Sequence, residues 1–167
     1  MVNANHKHNQ AADMIFRDVI SDDFVALMGL YRQLQPLDPV LDNGQDRAVF
    51  EQIITSPLLQ LFVLEDDESA LVASCYLNVI PNITRSASPY AVIENVITEQ
   101  TRRQMGFGKQ IIRQTLDYAW SLGCYKAMLQ TGSKQASTHA FYRACGFSAD
   151  DKTGYVARPP GSPLKAT

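Results

Sequence analysis

Two glycines, Gly106 and Gly108, are the residues whose type and spacing most clearly suggest chemistry. They stand just before a predicted helix, where glycine lets main-chain N–H groups approach a ligand closely. The free N–H groups of a first helical turn and the helix dipole favour an anion. Acidic residues are absent between Glu99 and Asp117. Four basic residues lie in that interval: Arg102, Arg103, Lys109 and Arg113. The stretch therefore predicts a site for a small polyanionic ligand.

Known phosphate-binding loops match this stretch only in part. A dinucleotide-binding turn has the pattern G-x-G-x-x-G, but Ile111 stands where the third glycine would be. The Walker pattern G-x-x-x-x-G-K-S/T is absent from the sequence. Because a bare G-x-G also occurs in ordinary turns, the loop alone leaves both a ligand site and a simple turn open.

The composition limits the classes of function. The chain has 167 residues, of which 46% are apolar and 19% charged, as expected for one soluble globular domain. A net charge of −2 argues against general binding of nucleic acid, since such proteins are usually basic. No apolar run reaches the roughly 18–20 residues that span a bilayer, and residues 1–13 lack the apolar segment of a secretory signal. We expect a cytoplasmic protein without nucleic-acid or membrane partners.

Cysteine and histidine usage points to neither disulfides nor metal. The three cysteines, Cys75, Cys124 and Cys145, form no C-x-x-C pair and have apolar or aromatic neighbours. We expect buried free thiols in a reducing compartment. The three histidines do not combine with them at zinc spacing, so the sequence predicts no metal site.

Hydrophobic periodicity predicts the elements that must position these residues. Predicted strands cover 14–20, 60–64, 70–80, 90–98 and 125–131, and a final hairpin is predicted at 147–149 and 154–157. Predicted helices cover 24–34, 46–55, 106–122 and 136–145, with Trp120 in the apolar stripe of the third. Because the middle strands are consecutive, the order indicates a mixed α/β fold rather than repeated βαβ units. We expect a polar arm at 1–13, a single domain at 14–158 and a proline-rich tail at 159–167.

The glycine stretch and a second motif together resemble a known family. Residues 103–108 have the pattern R-x-x-G-x-G after a strand, and residues 140–147 read A-F-Y-R-A-C-G-F one βα unit later. The pair resembles the GNAT superfamily of N-acetyltransferases over about residues 90–147. The resemblance implies an acyl-CoA N-acyltransferase fold, with a central, mostly antiparallel sheet that splays at one edge between helices. It also implies transfer of an acetyl group from acetyl-CoA to a primary amine of a small molecule, by direct attack in a ternary complex.

The resemblance also implies where acetyl-CoA would bind. The pantetheine arm would pair with main chain at the end of the strand 90–98, and the pyrophosphate would lie on the glycine loop. Thr138, on the later helix, would face the thioester. The implied cofactor-binding residues are Val96, Ile97, Thr98, Arg103, Gln104, Met105, Gly106, Phe107, Gly108, Lys109 and Thr138.

Two side chains are candidate catalytic residues. Glu94 has apolar neighbours on its strand, where a carboxylate needs a partner. It would accept a proton from the substrate ammonium or hold that group in place, or else only shape a water-filled pocket mouth. Tyr142 would protonate the departing thiolate, or else pack beside Phe141. The candidate substrate-binding residues are Arg85 and Tyr31, for which a solvated loop charge and helix packing are the alternatives.

A narrower resemblance concerns one branch of the family. Residues 93–96 and 123–126 are similar to segments of glucosamine-6-phosphate N-acetyltransferases. Those enzymes more often have Asp where Asn95 stands, so the sugar is not fixed as substrate. The acceptor site in such folds comes from early helices and loops, here about 31–43 and 82–89, and homodimers are common. A non-catalytic acyl-CoA-binding sensor or interaction domain, and a protein or peptide acetyltransferase, stay open as alternatives.

Overall fold

A computed structural model describes residues 14–161 and contains a five-stranded sheet in the order β1-β2-β3-β4-β5. The strands are β1 Ile15–Asp18, β2 Leu59–Glu65, β3 Leu71–Ile80, β4 Tyr90–Thr98 and β5 Ala127–Leu129. The helices are α1 Phe24–Leu34, α2 Gln45–Thr55, α3 Thr84–Ala87, α4 Phe107–Ser121 and α5 Ala136–Ala144. Two 3₁₀ turns, Ser21–Asp23 and Gln100–Arg102, precede α1 and the glycine loop.

The sheet is antiparallel from β1 to β4 and becomes parallel at its last pair. β4 and β5 are joined by α4, as a parallel crossover requires. Their pairing covers only Ala91–Ile93 against Ala127–Leu129. Beyond Ile93 no strand within residues 14–161 pairs with the side of β4 that faces β5, so the two strands separate there. The predicted mixed α/β fold with a sheet splayed at one edge is confirmed.

The sheet separates two apolar layers. Alternate residues of a strand point to opposite faces, and β3 follows this rule. Cys75 and Leu77 pack with Ile111 of α4, while Tyr76 packs with the cluster that holds Leu27 of α1. Helix α4 therefore covers one face, and α1 with α2 covers the other, because both faces of the central strands are apolar.

The C-terminal hairpin predicted at 147–149 and 154–157 is wrong. No strand occurs in the described residues after β5, and Tyr155 and Val156 are 91% and 64% exposed. A short hairpin is marginal unless its apolar side packs on something, and these side chains are instead turned to solvent. The predicted strand 125–131 is also shortened to three residues.

Two further local expectations need correction. Trp120, predicted in the core stripe of α4, is 46% exposed, because the buried stripe of that helix runs through Ile111, Thr115 and Ala119 instead. The segment Thr84–Ala87, which lies in the predicted loop 82–89, forms the single turn labelled α3, and its residues 85–87 all have a left-handed φ near +58°. The division into arm, domain and tail stays a prediction, since residues 1–13 and 162–167 lie outside the described residues.

Two absences apply to the part of the chain that the structure describes. None of the helices within residues 14–161 is long and apolar enough to cross a membrane. In the same range, no three His, Cys, Asp or Glu side chains gather as a metal site would need.

Candidate active site

A β-bulge in β4 opens the sheet beside β5. The register runs from Tyr76 opposite Glu94 to Ser74 opposite Ile97, so two residues of β4 face Cys75 alone. Asn95, one of the two, has φ of 50°, a conformation that asparagine adopts more readily than most side chains. A bulge bends its strand and increases the local twist. Here it lies just past the last residue that pairs with β5, so it turns the end of β4 away from that strand.

The end of β4 offers main chain rather than side chains to this opening. Val96 packs against the apolar layer under α4, and Ile97 is 5% exposed in the layer under α1 and α2. Glu99 N donates to Val72 O of β3, and alternate residues of an antiparallel strand bond to the same neighbour, so Ile97 faces β3 while Val96 and Thr98 face the β5 side. No strand of the described residues pairs with that side, and polar main-chain groups require a partner. The amide groups of a pantetheine arm fit that need at Val96 and Thr98, and the main-chain pairing predicted for Val96, Ile97 and Thr98 stays a prediction.

Glu94 and Tyr142 line the same cavity, which has a volume of about 720 Å³ and borders β5. Glu94 is exposed, because its strand neighbours point to the other face or lie in the bulge, and both roles suggested for it, proton acceptance and shaping a water-filled pocket mouth, stay predictions. Tyr142 is half-buried between Phe141 and Phe147, with ring centroids 5.1 and 6.3 Å away. A carboxylate open to solvent and a shielded phenol therefore meet at the point where β4 and β5 separate.

The ionisation of Tyr142 suits a proton donor. Burial is the largest cause that raises the pKa of Tyr142 above its ordinary value of 10.0, and the negative charge of Glu94 also raises it. The phenol therefore stays protonated at neutral pH. Burial raises the pKa of Cys75 to about 12, so this thiol stays neutral and is a poor nucleophile.

The glycines of the loop serve different purposes. Gly106 caps α4 with φ of +93°, and a Cβ built on it would meet nothing within 4 Å. A Cβ on Gly108 would lie 3.0 Å from Thr98 Oγ1 and 3.2 Å from Phe141 Cζ. Gly106 thus allows a left-handed turn at an open surface, whereas Gly108 allows α4 to pack closely on β4 and α5. The sequence suggested a ligand contact for both.

The loop presents a surface that fits a pyrophosphate. Its exposed residues are Arg103, Gln104, Met105, Gly106 and Lys109, while Phe107 packs its ring in the apolar layer. The first N–H groups of α4 have no acceptor within the helix, and the dipole there favours an anion. Arg103 Nε donates to Thr98 O at 3.2 Å, which holds its guanidinium beside the end of β4.

Arg102 has a different task from the other basic residues of the loop. Its Nη2 lies 3.1 Å from Oδ2 of Asp66, a carboxylate only 2% exposed at the turn between β2 and β3. Asp66 Oδ1 also accepts from the N–H groups of Glu68 and Ala70. The pair fastens the segment before the glycine loop to the sheet. Sequence reasoning missed Asp66, because nothing distinguishes it from the other acids of that turn.

A second cavity of about 380 Å³ lies between α1, α2 and the sheet. Tyr31, Tyr76 and Asn95 contribute to its wall together with aliphatic residues of both helices. Burial raises the pKa of Tyr31 to about 12, and the nearby Ser74 and Asn95 side chains oppose that rise. Tyr31 therefore keeps a neutral hydroxyl next to the bulge.

The structure does not bring the two predicted substrate-binding residues together. Arg85 is exposed in the turn before β4, with its guanidinium carbon 6.0 Å from the ring centre of Tyr125. It lines neither of the two cavities described above. Thr138, predicted to face the thioester, accepts a hydrogen bond at Oγ1 from Ser133 Oγ at 3.1 Å. These assignments stay predictions.

Acetyltransferases are among the known proteins that this chain resembles in sequence and in fold. The model of the acetyltransferase (GNAT) family matches residues 25–147. Glucosamine 6-phosphate N-acetyltransferase 1 of Oryza sativa subsp. japonica is 25% identical over 130 residues, covering 77% of this chain and 76% of its own. A structure from Agrobacterium tumefaciens str. C58, provisionally named an acetyltransferase, is 39% identical with a TM-score of 0.81, covering 87% of this chain and 99% of its own.

A third likeness concerns the fold alone. An aminoglycoside N-acetyltransferase, solved in complex with CoA, is 19% identical with a TM-score of 0.74, covering 90% of this chain and 97% of that chain. The family match spans both motifs and includes Glu94 and Tyr142, and the predicted enzyme class, an acetyl-CoA-dependent N-acetyltransferase, is confirmed. The chain therefore belongs to the GNAT acetyltransferase family.

Proposed function

We propose that this chain acetylates a primary amine of a small molecule by direct attack on acetyl-CoA, with Glu94 and Tyr142 as catalytic residues. The observation that carries the proposal is the shared cavity of Glu94 and Tyr142 at the separation of β4 and β5. The residues that would hold acetyl-CoA are the main chain of 96–98 and the loop 103–109. Acetyl-CoA supplies the reactive thioester.

The proton transfers assign a role to each side chain. An alkyl ammonium has a pKa of about 10.4, so the amine must lose a proton before it attacks. Glu94, exposed beside the gap, accepts that proton directly or through water and passes it to solvent. The amine nitrogen then bonds to the acetyl carbon, the carbon–sulfur bond breaks, and nitrogen loses a second proton. Tyr142 donates its hydroxyl proton to the departing sulfur and regains one from the medium.

Direct transfer is favoured over an acetylated enzyme. Cys75 lies on β3 opposite the bulge and is fully buried. Its thiol stays neutral because burial raises its pKa to about 12. Cys124 is also buried, with a raised pKa for the same reason. Neutral thiols attack a thioester poorly, so the amine itself is the better nucleophile.

The names of the relatives make an amino sugar the first acceptor class to test. Aminoglycosides form a second class, given the Serratia marcescens aminoglycoside N(6')-acetyltransferase that is 22% identical over 142 residues. Neither class follows from the identities alone, so both belong in the acceptor panel. A homodimer, common in the family, is part of the same proposal.

The test combines binding with turnover. Acetyl-CoA at about 100 times its Kd should stabilise the fold by roughly 2.7 kcal/mol, which raises Tm by about 5–10 °C. NAD, the control, should leave Tm unchanged. Thiol release should then require both acetyl-CoA and an amine from a panel of amino sugars, aminoglycosides, polyamines and amino acids. A shift with NAD and none with acetyl-CoA would overturn the proposal.

A further inference from the structure

The cavity between α1 and α2 is not explained by any motif of the sequence. Nine of its twelve lining residues are aliphatic or aromatic, and the other three are Gln45, Asp46 and Asn95. Its volume of about 380 Å³ lies in the range of small-molecule sites, about 300–1,000 Å³. Most such sites combine an apolar lining with a few polar groups, and this cavity has the same character.

The charges around the cavity do not suit an anionic ligand. No Lys, Arg or His is among its lining residues in the described part of the chain, and Asp46 contributes a carboxylate. Arg47, the next residue, donates instead to Glu51 Oε1 and Ser21 Oγ and lies over the rings of Phe24 and Phe50. Proteins usually bind phosphate through Arg or Lys side chains or at helix N-termini. The first turn of α2 does line this cavity, but it carries the Asp46 carboxylate and no cationic side chain, so a phosphorylated acceptor would meet a negative charge there.

The cavity adjoins the proposed catalytic carboxylate. Asn95 lines the cavity and follows Glu94 directly in β4. Tyr76 also lines it and is the cross-strand partner of Glu94, so the two side chains leave the same face of the sheet. An amine held in the cavity would therefore meet Glu94 at the bulge, where the thioester is also expected.

The connection between α1 and α2 adds apolar surface at the cavity. Leu41, from this connection, forms part of the wall and is 40% exposed. Leu37 and Val40, in the same segment, are 94% and 73% exposed. Contiguous exposed apolar surface commonly marks a binding site, and Leu41 places part of this segment at the cavity itself. An apolar ligand would cover part of it, whereas a polyhydroxylated sugar would lose hydrogen bonds to water without replacement.

We infer that this cavity holds the carbon skeleton of the acceptor, and that the acceptor is a primary alkyl- or arylalkylamine without phosphate. The inference rests on the proposed function and narrows it. Apolar side chains of the cavity bury the hydrocarbon body, and the Asp46 carboxylate disfavours an anionic group on that body. The hydroxyl of Tyr31 and the amide of Asn95 supply neutral hydrogen bonds near the reacting nitrogen.

The experiment compares acceptors and one pair of variants. Initial rates are measured with 2-phenylethylamine and with glucosamine 6-phosphate at equal concentrations of free base. We expect kcat/KM for 2-phenylethylamine to be at least about tenfold higher, equal to roughly 1.4 kcal/mol. Val49→Arg, at a 46% exposed position of the wall, should lower kcat/KM for 2-phenylethylamine about tenfold and leave KM for acetyl-CoA unchanged. Val25→Arg, at a 77% exposed position of α1 outside the wall, is the matched control and should change neither.

The outcomes separate the two proposals. Thermal stabilisation by acetyl-CoA with faster turnover of glucosamine 6-phosphate would overturn the inference and keep the proposed function. Failure of acetyl-CoA to stabilise the protein would overturn the proposed function. If acetyl-CoA binds but neither amine is acetylated, calorimetry measures whether 2-phenylethylamine binds to the CoA complex. Binding that Val49→Arg weakens supports the inference, and absence of binding overturns it.

Discussion

The expected acetyl-CoA site and the cavity between α1 and α2 are built on different principles. The expected acetyl-CoA site at the end of β4 is formed largely by main chain: a bulge at Asn95, a glycine loop and a helix N-terminus. The cavity between α1 and α2 is formed by side-chain shape, with aliphatic and aromatic residues from four elements and from the connection between the two helices. Main-chain recognition needs particular residues at fixed spacing, so it leaves short motifs in the sequence. Recognition by side-chain shape can use many combinations of residues, so the cavity between α1 and α2 leaves no short motif in the sequence.

The largest expected effect belongs to Tyr142, at the gap. Tyr142→Phe keeps the ring contacts with Phe141 and Phe147 and removes only the hydroxyl. We expect kcat to fall roughly 10²–10⁴-fold, since a donor aimed at the departing sulfur stabilises the transition state more than the ground state. KM for acetyl-CoA and Tm should change little, as steady-state kinetics and thermal melts would show. A variant that loses stability but keeps kcat would make Tyr142 a packing residue.

The ionisation of Tyr142 also determines the pH range in which its hydroxyl can contribute to kcat. Burial raises the pKa of Tyr142 above 10.0, so its phenol stays protonated at a pH where an exposed tyrosine is half ionised. The contribution of the hydroxyl, measured as the ratio of kcat between wild type and Tyr142→Phe, should therefore persist at pH 10. A ratio that falls to one well below pH 10 would contradict this assignment.

Glu94 comes next in expected size. Glu94→Gln keeps the shape and removes the charge, so kcat/KM at pH 7 should fall about 10²-fold, the low end for a lost general base. The deficit should shrink at high pH, where the free amine is abundant, and acetyl-CoA should bind as in wild type. Full activity at pH 7 would leave Glu94 with no part in proton transfer.

A substitution at Gly108 tests whether this motif glycine is required for packing or for ligand contact. Gly108→Val places a branched side chain against Thr98 Oγ1 and the ring of Phe141, so we expect a loss of about 1–3 kcal/mol in unfolding free energy without any ligand. That loss lowers Tm by about 2–4 °C per kcal/mol. Gly29→Val is the control, because a Cβ on Gly29 in α1 would meet nothing within 4 Å. Unchanged Tm of the Gly108 variant would return this glycine to a purely ligand-binding role.

The smallest predicted effect concerns Asp66, a positioning residue for the loop. Asp66→Asn weakens the bond to Arg102 by about 1.5 kcal/mol or less, a charge-assisted contribution. KM for acetyl-CoA should then rise up to about tenfold while kcat changes little. Asp67→Asn, at the exposed neighbouring position, should alter neither. A fall in kcat with KM unchanged would show that Asp66 does not act through the loop.

The parts of the fold that were predicted correctly share strong local signals. The bounds of β4, 90–98, are as predicted because both faces of its middle are apolar. Helix α4 is within one residue of its prediction at each end, because glycines flank its apolar stripe. The hairpin failed because an alternating pattern of three or four residues carries no information on whether a surface exists to receive it.

The residues proposed for the site came from local motifs, and the features that those motifs did not show arise from tertiary structure. The exposure of Glu94 depends on the register between β3 and β4, where the bulge sits, and no local pattern encodes a register. Asp66 gains its role from Arg102, a residue 36 positions away. The wall of the α1–α2 cavity reads in the sequence as ordinary core positions, because the same residue types serve both purposes.

Hydrogen–deuterium exchange tests the separation of the two cavities most directly. Acetyl-CoA alone should slow exchange at amides of 96–98 and 103–109 and leave 45–53 in α2 unchanged. Addition of 2-phenylethylamine to the CoA complex should then protect residues of α1 and α2, because ordering of the wall reduces local opening. Protection of α2 by acetyl-CoA, with none at the glycine loop, would contradict the account.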